Sequence, residues 1–318
     1  MRTRRVTGLI LAGAMAAGLQ GASAGAAKQD YEAKEVGDGV YVVHGPTEYP
    51  NPQNRGFMNN PAFVVTDEGV VVVDPGSGLW VGEMVLEKIA AVTDKPVVAV
   101  FNTHVHGDHW LGNHAIRDKY PKAKIYGHPR MIERVGEGAG DEWVSSLERL
   151  TEGATKGTKV VAPDNAIDNA QSVTVGGATF EILHTGKSHT DNDIMIHLQP
   201  ANILFLGDNV GYHRILRLDD GSFPGNIEAI DVALERGATT YVPGHGPTGG
   251  TEVPQAYRDY LNTLYEQVKV YYDEGLSDFE IKPEVLPKLM AWQTWSGFDD
   301  ELGKHISLGY LEIEAAEF

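Results

Sequence analysis

The sequence predicts an α/β protein made of two similar halves and closed by a helical C-terminal appendage. Three observations carry this expectation. From about Tyr31, short β-rich runs alternate with helical ones. The run Val97–Phe101 is continuously apolar, as expected of a central strand covered on both faces. After Gly249-Gly250 the alternation stops, and Tyr257, Tyr260, Leu261, Leu264, Val268 and Tyr271 mark a long amphipathic helix with further helical stretches to the end.

In order along the chain, Arg2, Arg4 and Arg5 precede an apolar run of small residues over 6–19, followed by Ala22-Ser23-Ala24. This is the pattern of a cleavable secretory signal over residues 1–24, with a mature chain starting near Gly25 in the periplasm or outside the cell. Thr3-Arg4-Arg5 hints at twin-arginine export, although the residues after it fit that route poorly. The run is shorter than the roughly 20 residues that span a bilayer, and no later segment comes close, so no membrane span is expected. Strands follow at 40–44, 62–66 and 70–74, the last two joined by the tight-turn residues Asp67-Glu68-Gly69 as a hairpin. The asparagine- and proline-rich stretch 45–60 reads as an irregular loop whose Phe57 and Met58 can lean over a site or cap the core. Val81, Met84, Val85, Ile89 and Val92 share one face of a helix that ends before Lys95-Pro96. The second half repeats the rhythm, with strands at 172–175, 178–184, 193–198 and 203–206, a helix near 227–236 and a strand at 239–242. A catalytic domain over 31–250 and a helical extension over 251–318, packed on that same domain through its aromatic stripe, are expected.

Composition narrows the function. With 318 residues, 42% hydrophobic and 22% charged, the chain is long enough for one large core or two modest ones, and collagen-like or wholly disordered readings are excluded. Lysine plus arginine total 26 against 44 acidic residues, and loss of three arginines with residues 1–24 takes the formal charge from -18 to -21. That sign opposes binding to a phosphate backbone, so a small-molecule partner is expected and nucleic acid is not. The absence of cysteine removes disulfides, thiolate zinc sites, iron–sulfur clusters and thiol nucleophiles together. Twelve histidines remain for metal chemistry.

The most informative stretch is Asn102-Thr103-His104-Val105-His106-Gly107-Asp108-His109, directly after the buried strand. In an extended run, residues two apart share a face, so His104 and His106 can grip one ion while a turn at Gly107 sends Asp108 and His109 toward another. Imidazole and carboxylate without thiolate suit zinc best, with iron or manganese behind it. Three further strand ends supply ligand types: His189, Asp208 and His245, the last within Gly244-His245-Gly246. Strand ends are the edge at which sites on α/β sheets assemble.

These residues resemble the metallo-β-lactamase-fold hydrolases over roughly 35–250, through the HxHxDH motif at 104–109 and through His189, Asp208 and His245 in the family's order and approximate spacing. The resemblance implies a four-layer αβ/βα sandwich with metals at one edge. It also implies that His104, His106 and His189 hold a first zinc, that Asp108, His109 and His245 hold a second, and that Asp208 bridges both. Asp74 matches the family's aspartate that orients ligand groups. In outline the chain is similar to the secreted SoxH-like, quinoprotein-associated zinc metallohydrolases. Histidine at 106 disfavours an oxygen-reducing di-iron centre, and the missing cysteine excludes the lactamase subclasses that use it. Asp208 as a bridge fits glyoxalase-II-like hydrolases and demotes a β-lactam substrate without removing it.

Two zinc ions sharing one water would lower its pKa from that of bulk water to about 7, giving a bridging hydroxide at neutral pH, with Asp108 orienting it and shuttling its proton. Hydrolysis of a thioester, lactone, ester or amide follows. The alternatives are a β-lactamase, an iron-dependent persulfide dioxygenase on the first site, a non-catalytic periplasmic metal or ligand carrier, and a phosphodiesterase, which the acidic charge opposes. His184 competes with His189, which Thr190 and Asp193 favour. His44, His114, His128, His197 and His305 read as packing or surface residues. Tyr212, His213 and Arg214 follow Asp208 and are the candidate substrate contacts, while Trp110 either walls the site or packs beneath it.

Overall fold

The computed structural model describes residues 30–317; the expected signal segment, residues 1–24, lies outside them. The first sheet has seven strands in chain order: β1 (Ala33–Gly37), β2 (Val40–Val43), β3 (Ala62–Val65), β4 (Val70–Val73), β5 (Val97–Phe101), β6 (Lys124–Gly127) and β7 (Asn165–Ala166). β1 to β4 pair antiparallel, and β3 and β4 form the expected hairpin with Ala62 opposite Val73. From β4 to β7 the pairing is parallel. The crossovers carry α1 (Leu79–Val92) and then the short α2 (Gly107–Trp110) with α3 (Asn113–Lys119). After β6 come α4 (Pro129–Arg134), a π-helical turn at Val135–Ala139 and α5 (Gly140–Leu150).

The second sheet has five strands: β8 (Ser172–Val175), β9 (Ala178–Leu183), β10 (Met195–Gln199), β11 (Ile203–Gly211) and β12 (Thr240–His245), in the order β12-β11-β10-β9-β8. β11 and β12 are parallel across α6 (Phe223–Glu235), which starts on Ser222, whose hydroxyl accepts from the amide of Gly225. The chain then runs through α7 (Glu252–Asp273), α8 (Asp278–Val285) and α9 (Phe298–Ala316).

Strand periodicity dictates the layering. All four valines of β4 are buried because both faces are covered. Val71 and Val73 face the second sheet, where Ala99 and Phe101 meet Phe180, Ile182, Ile196 and Phe205. Val70 and Val72 face the other way, onto Val81, Met84, Val85 and Ile89 of α1 and Ile116 of α3. On the outer face of the second sheet, Leu204, Leu206 and Tyr241 pack against Tyr257, Tyr260 and Leu264 of α7 and Leu302 and Ile306 of α9. The order is therefore helices, sheet, sheet, helices, and the C-terminal aromatic stripe is core. Phe101 and Phe180 stack across the sheets at a centroid distance of 5.3 Å. Truncating such a side chain costs about 3–5 kcal/mol.

Two strands end later than the sequence suggests. β11 continues through Gly207, where its pairing with β12 shifts register, so Asp208 lies within the strand. β12 runs to His245, which ends the strand. In both, a glycine or proline that reads as a strand end is absorbed by an irregularity between two covered strands. Among the described residues, no helix is long and apolar enough to cross a membrane.

One core histidine sets an acid limit. His305 is 1% exposed, between the Tyr260 hydroxyl and the Leu216 carbonyl, and burial holds its pKa down at about 4. The unfolded chain takes up this proton below about pH 6.5, whereas the folded chain does not until about pH 4. Stability is thus full above pH 6.5 and falls by about 3 kcal/mol toward pH 4 from this group. Urea midpoints at pH 7 and 4.5 are expected to differ less in His305→Gln than in the parent; an unchanged difference would remove His305 as the cause.

Candidate metal centre

The site assembles at one edge of the two sheets. Asp74 directly follows β4, and its φ of 50° turns the chain. β5 delivers the loop that carries His104 and His106, and the chain then coils into α2 instead of staying extended, which carries Asp108 and His109 away from them. Gly107 is needed here because a Cβ would lie 2.6 Å from the Cβ of Trp143. The loop after β9 brings His189, while β11 and β12 bring Asp208 and His245. Gly244 packs so tightly that a Cβ would stand 2.0 Å from Asp208 Oδ1.

Seven buried side chains converge in two groups. His104, His106, His189 and Asp208 form one, and Asp108, His109 and His245 the other. In the first, His106 Nδ1 and His189 Nε2 are 3.0 Å apart, and Asp208 Oδ2 lies 3.6 Å from His189 Nε2 and 3.9 Å from His104 Nε2. In the second, His109 Nε2 and His245 Nε2 are 3.3 Å apart, with Asp108 Oδ2 at 3.5 and 3.3 Å from them. Asp208 Oδ1 reaches this group as well, at 3.1 Å from His109 and 3.3 Å from His245. Asp208 therefore touches both groups.

The far sides of the rings explain why these nitrogens face inward. Asp74 Oδ2 receives His109 Nδ1 at 2.8 Å and the Thr103 hydroxyl at 2.7 Å, and that hydroxyl oxygen is 3.0 Å from His104 Nδ1. His106 Nε2 meets Asp220 Oδ2 at 3.1 Å, and His245 Nδ1 meets the Met58 carbonyl at 2.7 Å. These acceptors assign a proton to each outer nitrogen and leave the inner one as a lone pair. His104 Nε2 and Asp208 Oδ1 are buried without a hydrogen-bond partner. Inner nitrogens and carboxylate oxygens facing one another at such distances suit a cation between them. Donor separations of 3.0–3.9 Å also suit two bonds of roughly 2.0–2.2 Å to a shared zinc. The donor set fits a divalent ion in each group.

In the first group electrostatics agree with that fit, whereas in the second the facing carboxylates Asp208 and Asp108 outweigh burial and raise His109 and His245. Burial, reinforced by His109 and His106, holds the pKa of His104 well below its usual value, and burial brings His189 down to about 3. Both are kept in the neutral, ligating form. Burial alone would raise both carboxylates, yet the adjacent imidazoles win. His109 and His245 hold Asp108 low, and His245 with His109 hold Asp208 well below the carboxylate range.

Asp220 was not legible as part of the site, because nothing in the spacing ties it to a histidine 114 positions away. Its carboxyl is held low first by the hydrogen bond to His106. Asp220→Ala is expected to weaken metal retention 10- to 100-fold in chelator competition by freeing the His106 ring. Retention equal to the parent's would dismiss the role.

A third group fails the same test. His128, Asp168 and His184 lie together, but the two rings stack at 4.1 Å with 29° between their planes, so their in-plane lone pairs do not converge. The first-group rings stand at 72–90° to one another. His128 Nδ1 also accepts the Arg130 amide, and His184 Nδ1 donates to the Asp193 carbonyl at 2.7 Å. His184 braces the loop that presents His189 and does not meet His104 or His106.

A cleft of about 310 Å³ opens over Asp108, Asp208 and His245, walled by Tyr49, Met58, Trp143, Leu216, Glu301 and Lys304. Of the three candidate substrate contacts only Arg214 lines it. Tyr212 and His213 lie outside its lining: His213 is exposed, with a φ of 59°, and the two rings stack on each other at 4.3 Å and against Trp295. Trp110 is fully buried beneath the site and donates to the Val105 carbonyl. Phe57 joins the core while Met58 faces the cleft. The loop that holds them is pinned by Asn60, whose amide donates to the carbonyls of Pro243 and Gly246.

Fold and site together define a metal-dependent hydrolase. The family model of the metallo-beta-lactamase superfamily matches residues 54–245, and the chain belongs to that superfamily. Among its relatives, a metallo-hydrolase of Streptococcus pyogenes is 26% identical over 198 residues, 59% of this chain and 79% of the relative. A hydroxyacylglutathione hydrolase of Synechococcus is 48% identical over 160 residues, 50% of this chain and 51% of the relative. Among solved structures, the sec-alkylsulfatase of a Pseudomonas species superposes with a TM-score of 0.70 at 21% identity over 89% of this chain and 50% of its own. A metallo-beta-lactamase from Pontibacter korlensis gives 0.59 at 21% over 73% and 99%. The chain spans about half the length of the hydroxyacylglutathione hydrolase and of the alkylsulfatase. At 21% identity, the two structures establish the fold alone.

Proposed function

We propose that this chain is an exported dinuclear zinc hydrolase that cleaves an acyl bond of a small molecule: thioester, lactone, ester or amide. The observation that carries the reading is the convergence of five imidazoles and two carboxylates in two groups that share Asp208, with the rings of His104, His106, His109 and His245 each held by an outer partner. His104, His106 and His189 would hold one ion, Asp108, His109 and His245 the other, and Asp208 both. When bound, such ions supply a nucleophile at neutral pH by acidifying water, and a Lewis acid for the scissile carbonyl. Asp108 keeps a carboxylate at the cleft floor, placed to accept and return a proton as the bond breaks. Asp74 fixes the tautomers of His109 and, through Thr103, of His104. Trp143 and Leu216 give the cleft an apolar wall beside the ligand groups.

The basic start, apolar run and Ala22-Ser23-Ala24 support export. Protein purified from the producing cell is expected to begin near Gly25 and to carry two zinc ions per chain. It is expected to hydrolyse at least one of a panel of thioester, lactone, ester, amide and β-lactam substrates, with loss of activity to chelator. One tightly bound iron, or Met1 retained, would overturn the corresponding part.

A further inference from the structure

Of the five ligand imidazoles, four are held at the ring nitrogen that faces away from the cluster, and His189 is not. Its Nε2 faces His106 Nδ1 at 3.0 Å, but among the described residues its Nδ1 is buried without a hydrogen-bond partner. A ligand ring is normally aimed by a bond on its far side. Lacking one, His189 depends on how firmly its own stretch of backbone is set.

One carboxylate sets it. Asp193 Oδ2 accepts from the Ser188 hydroxyl at 3.0 Å and from the Thr190 amide, the residues immediately before and after His189. The Ser188 amide donates in turn to the Thr190 carbonyl at 2.7 Å, which closes the loop around the histidine. Asp193 is 4% exposed, and among the described residues no cationic side chain lies within 4.0 Å of its carboxylate. Its Oδ1 is buried without a partner. A buried carboxylate without a counter-charge is costly, so the two bonds that flank His189 are what this one contributes. The neighbouring Asn192 carries the loop to the other ligands: its Oδ1 accepts from the amide of Val105, between His104 and His106, at 2.9 Å. The shape of this loop therefore decides both where His189 sits and how it meets the two histidines opposite.

We propose that Asp193 is the positioning residue of His189, holding residues 188–190 in the shape that aims Nε2 into the first ligand group. The inference rests on the two-ion reading. Asp193 acts through its hydrogen bonds to the loop and touches no ion. Its loss is expected to loosen the first group alone, because His109 and His245 of the second keep their own partners, Asp74 and the Met58 carbonyl.

The test counts ions and reads their surroundings. Protein stripped by chelator is reloaded with zinc, or with cobalt(II), whose visible bands report the ligand set, and retention is measured against a competing chelator. The parent is expected to hold two ions. In Asp193→Ala one ion is expected to be held as in the parent and the other 10- to 100-fold more weakly, with the cobalt bands of that site altered. Asp193→Asn keeps an oxygen acceptor without the charge and is expected to bring the weakened ion back to within about threefold of the parent, with Ser188→Ala, which removes one of the two bonds, falling between. Parental retention of both ions in Asp193→Ala overturns the proposal. Equal loss in Asp193→Asn and Asp193→Ala also overturns it, since the charge would then be responsible, and so does equal loss of both ions, which marks a general structural role. Should Asp193→Ala not fold, selective weakening of one ion in Ser188→Ala supports the proposal and parental retention there overturns it. A parent that binds no ion overturns the two-ion reading and this inference together. The expected pattern in a protein that hydrolyses nothing on the panel would sink the hydrolase reading while the clamp on His189 stands.

Discussion

Asp208→Ala is expected to release at least one of two bound ions and to lower hydrolysis by about a thousandfold or more. Among the described residues, Asp208 is the one carboxylate in contact with both ligand groups, through Oδ1 to His109 and His245 and through Oδ2 to His104 and His189. Its removal opens both groups at once and leaves five imidazoles around a single remaining carboxylate, Asp108. Elemental analysis with turnover on any accepted substrate decides the matter. Two ions retained at parental affinity would show that Asp208 is not the bridge.

The second large effect separates two histidines five positions apart. His189→Ala is expected to empty the first group and cost at least a hundredfold in turnover, because Nε2 faces His106 Nδ1 at 3.0 Å. His184→Ala removes a ring that stacks on His128 and a bond to the Asp193 carbonyl. It is expected to cost about 1–2 kcal/mol of stability, with zinc content and turnover near those of the parent. Metal loss in His184→Ala with retention in His189→Ala would reverse the assignment.

Much of this was legible in the chain itself. Residues 97–101 are apolar without interruption because both sheet faces are covered, and the 81–92 stripe follows from one covered helix face. The 104–109 motif and three more ligand types at strand ends gave the floor of the site, since strand ends must place their side chains at one edge. What escaped was set by packing between distant segments. Asp220 meets His106 only because the loop after β11 folds back over α2, and no periodicity encodes that return. Arg214 and His213 are adjacent in sequence and opposite in outcome: His213 itself is left-handed and exposed, while Arg214 lines the cleft. Gly207 looks like a strand terminus until its partner strand is known.

Glu301 and Lys304, which wall the cleft, lie on α9, whereas the ligand groups are complete by His245. The side chains that could hold metal and two that wall the cleft therefore belong to separate stretches of the chain. Variation near residue 301 alters the wall of the cleft without touching a ligand group, so which molecules fit and which ions are held can be changed independently.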